Sequence, residues 1–281
     1  NQNPGRPFRN LNWWGTFDEY LPVYEEASKL LKRRFPDIRI GGYASCGFYA
    51  GVGSGQVKAA NSSPRLEHFV ECAKTFLARA RDEKWPVDFF SYHSYSTPKE
   101  ALRQVRFADE LLNGYGFTSD RCERIFNEWL PYVGHANLGS ALQAAGVAAE
   151  LIGLQNGPCD LACIYDARCG VGNYSALFNP LTYKPHKAYY AFTAFNELRK
   201  LGTAVAASSD DADVFVAAAK GPAGEAVLVA NASDAEKGLA FDFGGRQVRT
   251  CRLTDADRTD ARTDVAPSVL PPWSFCVLNL K

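Results

Sequence analysis

The chain reads as an α/β protein with an all-β tail, and three observations predict it. Up to Gly202, short apolar runs alternate with long amphipathic segments, the signature of strands covered by helices on both faces. Beyond Gly202 the helical period disappears, and short strand-like runs are parted by Gly, Asp, Ser and Pro turns. Hydrophobic residues make up 46% and charged residues 22% of the 281 residues, which excludes disorder and coiled coil.

The elements follow in order. Asp18 to Phe35 predicts a helix: Tyr20, Leu21, Tyr24, Ala27, Leu30 and Leu31 recur at three- and four-residue steps, and Pro36-Asp37 ends the run. Ile38 to Tyr43 predicts a short strand entering a glycine-rich loop. Leu66 to Lys84 is a second helix, and Val87 to Tyr95 a second strand. Thr97-Pro98-Lys99-Glu100 has the form of a helix start, with Thr97 as N-cap and Pro98 at the first helical position; that helix closes near Asn113-Gly114. Arg124 to Trp129 is a third strand, Leu138 to Gln155 a third long helix, Leu161 to Asp166 a fourth strand, and Pro185 to Leu201 a last helix stopped by Gly202. In the tail, Val214–Ala219, Ala226–Ala230, Leu239–Phe243, Val248–Leu253 and Phe275–Leu280 predict the strands of a β-sandwich.

This divides the chain into an α/β part, 1–202, and a β-sandwich, 203–281. Four strand–helix units are half of what a (β/α)8 barrel requires. The first part is therefore either an open four-stranded sheet or the C-terminal half of a barrel, strands five to eight. The chain contains no Met, so a processed product or an excised piece is expected, which favours the half barrel. A half barrel carries two unpaired strand edges and is expected to pair with another copy or aggregate.

Charge and composition narrow the function. Lys+Arg and Asp+Glu balance at 31 each, leaving no basic stripe for nucleic acid. No apolar run approaches the ~20 residues of a membrane span. Of the eight cysteines, none form CxxC; reduced, buried thiols are expected, which favours a cytoplasmic location. Three Asn-x-Ser sequons at Asn61, Asn173 and Asn231 point weakly the other way.

In parallel α/β folds chemistry gathers at the carboxyl ends of the strands. Those ends supply Tyr43, His93, Tyr95, Asn127, Glu128, Trp129, Tyr165, Asp166 and Arg168. Glu128 is the sharpest of them, a carboxylate between an apolar strand and Trp129, suited to act as nucleophile or general base. His93 fits a hydrogen bond to a hydroxyl or to Glu128. Trp14, in the polar Trp13-Trp14-Gly15-Thr16 loop, joins Tyr43, Tyr95, Trp129 and Tyr165 as faces on which a sugar could stack. Neither HExxH nor GxSxG occurs, so no metal site and no serine elbow are predicted. Gly51-Val52-Gly53-Ser54-Gly55 follows no strand and is read as a loop.

Several of these stretches together resemble clan A glycoside hydrolases, family 39 above all. Asn12-Trp13-Trp14-Gly15-Thr16 with Glu19-Tyr20-Leu21 resembles the segment after the acid/base motif. Asp88 to Tyr95 is similar to the sixth barrel strand, Phe126-Asn127-Glu128-Trp129 to the seventh, and Tyr165-Asp166-Ala167-Arg168 with Lys187 to Phe192 to the eighth strand and closing helix. The resemblance implies a retaining glycosidase of the β-xylosidase or α-L-iduronidase type, Glu128 its nucleophile, acting on an oligosaccharide or glycoside without a cofactor. Its Trp-Asn-Glu-Pro acid/base motif is not present. The glutamate is expected just upstream of residue 1, or Gln2 stands in its place, and the 281 residues alone are expected to be inactive. The alternative is a glycan-binding protein or pseudoenzyme with the same barrel.

Overall fold

A computed structural model describes residues 15–53 and 63–281. The chain forms two compact units. One comprises Asn1–Ser94, Arg103–Asn127 and Pro158–Cys163; the other comprises Tyr95–Leu102, Glu128–Gly157 and Ile164–Lys281.

In the first unit, helix α1 (Phe17–Arg34) starts at a reciprocal cap: the Glu19 amide donates to the Thr16 hydroxyl and the Thr16 amide to the Glu19 carboxylate at 2.6 Å. Strand β1 (Ser45–Cys46) and α2 (Ser63–Asp82) precede β2 (Phe89–Ser94). With β3 (Glu123–Trp129) and β4 (Leu161–Ile164) the sheet order is β1-β2-β3-β4, and β1 runs parallel to β2 with Ser45 opposite Tyr92 and Cys46 opposite His93. α3 (Pro98–Gly114) starts and ends where its capping residues predict.

The first predicted strand is displaced. Ile38 to Tyr43 forms only a single bridge, Gly41 to Phe89, and the ladder resumes at Ser45. The cause is local: the Asp88 carboxylate takes the Ile40 amide at 2.8 Å, and the glycines pass against aromatic rings. A Cβ on Gly41 would lie 1.9 Å from the Phe89 ring, and one on Gly42 would lie 2.6 Å from Phe76. The glycine pair thus marks close packing within the stretch predicted as a strand. Behind it, Tyr24, Phe76, Trp85, Phe90 and Tyr43 form an aromatic core with ring centroids 4.8–6.3 Å apart.

The second unit holds α4 (Ala141–Gln155), α5 (Lys187–Leu201) and a six-stranded antiparallel sheet, with Ser140 capping α4 through its hydroxyl. The helix starts three residues later than the predicted Leu138: Leu138 and Gly139 form a turn after a 3₁₀ helix at His135–Asn137. The sheet comprises β5 (Thr203–Val205), β6 (Val214–Gly221), β7 (Gly224–Asn231), β9 (Val248–Thr254), β10 (Ala261–Thr263) and β12 (Ser274–Leu280), in the order β10-β9-β12-β7-β6-β5. β8 (Lys237–Gly238) and β11 (Val269–Leu270) form a separate ribbon.

Strand alternation sorts the sheet's two faces. Val214, Val227, Val229, Cys251, Leu253, Cys276, Leu278 and Leu280 build one apolar cluster. The intervening Ala217, Ala219, Ala226, Leu228 and Ala230 are also buried, and α4, with Ala144, Ala145, Ala148 and Ala149 equally buried, packs on β6, β7 and β12. Small side chains allow that close approach, and they explain why α4 is apolar nearly all round.

Leu239 to Phe243 alternates as predicted, with Leu239, Phe241 and Phe243 turned inward. Beyond the Leu239 amide, which donates to the Ser268 carbonyl at 2.8 Å, the segment nevertheless has no ladder partner among the described residues. A cleft of about 750 Å³ separates it from the extended Val205–Asp211 segment. Alternation reports which face is buried; it does not report whether a neighbour exists to pair with.

All eight cysteines are free. Cys163, expected to be buried, is exposed together with Leu161 on one face of β4, which is the last strand of the parallel sheet. Among the described residues, no helix is long and apolar enough to cross a membrane.

Candidate active site

The second unit brings together five of the predicted site residues. Glu128 is the penultimate residue of β3, half-buried, and Tyr95 follows the last residue of β2. The Tyr95 hydroxyl donates to Glu128 Oε2 at 2.6 Å, the length of a charge-assisted O–H···O⁻ bond. Burial first, and then this bond to Glu128, push the Tyr95 phenol well above its ordinary range. Tyr95 therefore stays protonated and keeps donating wherever the protein is folded. Oε1 of Glu128 carries no hydrogen bond among the described residues.

Two more tyrosines stand beside this pair. The Tyr165 ring lies edge-on to Tyr95 at 6.3 Å, and Tyr174 lies 4.9 Å from Tyr95 and 5.3 Å from Tyr165. The Tyr165 amide donates to the Trp129 carbonyl at 3.0 Å, carrying the parallel ladder one residue past β4. The next residue, Asp166, is 9% exposed and pairs with the guanidinium of Arg168 at 2.7 Å. The Arg168 side chain itself is 62% exposed, so it offers a cation at the rim that a carboxylate neighbour holds in place.

The remaining predictions separate from this group. Trp129 is buried, and its ring stacks on Phe192 of α5 at 6.1 Å. Successive strand side chains point to opposite faces, so the residue after Glu128 is turned into packing. Tyr43, His93 and Asn127 belong to the first unit. There Tyr43 sits in the aromatic core, its phenol raised by burial. His93 is half-buried on β2, and Asn127 keeps its side-chain oxygen buried on β3. Trp14 and Gln2 lie outside the described residues.

Tyr174 was not among the predicted site residues, because the surrounding Gly172-Asn173-Tyr174-Ser175 reads as a polar loop with a sequon. The signal that could have found it is loop length. More than twenty residues separate β4 from α5, and long loops at strand carboxyl ends tend to carry function.

No protein-family model matches the chain, and no curated protein matches it by sequence. Solved structures do match. A glucosidase from Croceicoccus marinus aligns with a TM-score of 0.66 at 16% identity, over 96% of this chain and 66% of its own. A GH30 endoxylanase from Clostridium papyrosolvens C71 aligns at 0.59 and 15% identity, over 96% and 62%. A GH39 enzyme from Xanthomonas axonopodis pv. citri aligns at 0.62 and 16%, over 94% and 64%. The likeness is one of fold. Over most of its length the chain has the α/β architecture of barrel-type glycoside hydrolases, and it spans less than two thirds of the length of those proteins.

Proposed function

We propose that the chain is part of a retaining glycoside hydrolase, with Glu128 as its nucleophile. The observation that carries this reading is the Tyr95–Glu128 hydrogen bond at a strand's carboxyl end. The half-buried Tyr95 phenol fixes the carboxylate through one oxygen, Oε2, and leaves the other oxygen for attack. The fold it shares with a glucosidase, an endoxylanase and a GH39 enzyme supports the same reading, and the sequence resemblance favours the family 39, β-xylosidase-like type.

In this mechanism Glu128 Oε1 attacks the anomeric carbon while an acid/base glutamate protonates the departing glycosidic oxygen. Water then attacks the covalent glycosyl-enzyme, the acid/base group takes the water's proton, and Glu128 leaves as carboxylate. We place the acid/base glutamate in a segment ahead of residue 1, within a Trp-Asn-Glu-Pro motif, and residues 203–281 in an accessory role. Tyr165 and Arg168 would contact the glycoside, and no cofactor takes part.

The test uses a form of the protein that turns over aryl glycosides. Glu128→Gln is expected to lower kcat by about 10⁴-fold or more, since the amide cannot form the ester. A 2-deoxy-2-fluoro glycoside is expected to leave its mass on the peptide containing Glu128. Turnover near that of the parent, or label on another carboxylate, would overturn the assignment.

A further inference from the structure

Tyr95 has two side-chain torsions and lies beyond the end of its strand, so the strand does not by itself fix where its hydroxyl points. The described surroundings show what does. The Tyr174 ring packs on Tyr95 at 4.9 Å with an interplanar angle of 56°, and Tyr165 closes the group edge-on. Tyr174 is in turn pinned by its own main chain: its carbonyl accepts from the Asp166 amide at 3.0 Å and the Ala176 amide at 2.7 Å. The next two residues, Ser175 and Ala176, are fully buried. The loop after β4 is thereby folded back, and its aromatic ring is delivered against the residue that holds Glu128.

We propose that Tyr174 is a positioning residue: its ring, not its hydroxyl, holds the Tyr95 phenol on the Glu128 carboxylate. Tilted aromatic pairs gain from quadrupole complementarity as well as from burial, so losing one neighbour frees the Tyr95 ring to swing off its acceptor. The consequence for catalysis rests on the glycosidase reading. The placement of Tyr95 does not, and it can be read without turnover.

The experiment follows the Tyr95 hydroxyl proton by NMR in the 281-residue chain with Cζ-labelled tyrosine, assigned through Tyr95→Phe. In the parent this proton is expected to exchange slowly, as a phenol hydrogen-bonded to a carboxylate does. Tyr174→Leu keeps apolar bulk and the backbone hydrogen bonds but removes the ring, and is expected to speed exchange roughly tenfold. Tyr174→Phe keeps the ring and is expected to stay within about twofold of the parent. Unchanged exchange in Tyr174→Leu, at an unchanged melting temperature, overturns the proposal. So does exchange in Tyr174→Phe as fast as in Tyr174→Leu, and if the Leu variant does not fold, tenfold faster exchange in the Phe variant overturns it alone. In an active form, Tyr174→Leu is further expected to lower kcat with little change in KM, because the hydrogen bond matters to Glu128 as it reacts. Loss of slow exchange with kcat intact would then count against the glycosidase role of Glu128 and leave the positioning of Tyr95 standing.

Discussion

At the scale of single residues, the strongest polar commitment lies in the first unit. Arg124 on β3 is 1% exposed, and every arm of its guanidinium is used. Nε pairs with Asp109 at 2.8 Å, and one terminal nitrogen reaches both the Asn113 side chain at 2.8 Å and the Phe117 carbonyl at 3.0 Å. The other bonds the Cys122 carbonyl. A planar fork with five donors suits this arrangement, and an ammonium does not. Arg124→Ala should cost about 3–5 kcal/mol, because it takes the cation from Asp109, which keeps only the Asn113 amide, and removes the guanidinium donors from two carbonyls. Arg124→Lys should recover less than half of that loss, as measured by urea unfolding; equal stability of the Lys variant would show that the fork geometry is not needed. Arg124 was read only as the start of a strand. A lone arginine bordering an apolar run carries no mark that distinguishes a solvated end from a buried hub, since its partners come from positions up to fifteen residues away.

Whole elements were more legible than their contents. α4 shows this best: the periodicity predicts a helix over Leu138 to Gln155 and its end holds at Gln155, while the start falls at Ala141 behind the Ser140 cap, and its burial does not follow from local propensity. Glu150, near the end of α4, is 1% exposed, and both carboxylate oxygens lack a hydrogen-bond partner. Burial alone pushes its pKa well above the ordinary carboxylate range, so it is held neutral in the folded state. A raised folded pKa means stability that is fully present below the unfolded value near 4.5 and is lost as pH rises above it. The loss should run at about 1.4 kcal/mol per pH unit until the folded group itself ionises. Glu150→Gln should therefore stabilise the protein at pH 7 and flatten this part of the pH–stability curve; urea unfolding between pH 5 and 8 reads it. A variant whose curve parallels the parent's would show that Glu150 is not held neutral. Gly146 on the same helix has a comparable origin: a Cβ there would meet the Tyr132 ring at 2.8 Å, which no local pattern announces. Leu239 to Phe243 is the converse case, where the alternation held but no ladder partner is found past Leu239 among the described residues.

For the whole molecule, the order of helices and strands could be read from periodicity, because it follows from local rules. The reading also singled out Glu128, Tyr95 and Tyr165, since a carboxylate and tyrosines at strand ends stand out against apolar neighbours. It could not see Tyr174, whose place depends on a loop folding back, and it assigned Trp129 to the site when strand alternation turns that ring inward. One expectation from the half-barrel reading remains open to measurement. β4 is the last strand of the parallel sheet, and Leu161 on it is 48% exposed with Cys163 exposed on the same face. Apolar edge strands recruit other strands unless charge or proline blunts them, and Leu161-Ala162-Cys163-Ile164 carries neither. The 281-residue chain should accordingly associate with itself in the micromolar range, and Leu161→Lys should shift that equilibrium toward monomer by at least about tenfold while leaving the fold intact. Sedimentation equilibrium with a reducing agent present separates this from disulfide formation through Cys163. A parent chain that stays monomeric at 100 micromolar, a concentration about a hundredfold above the onset expected for such an edge, would show that this strand edge is already protected.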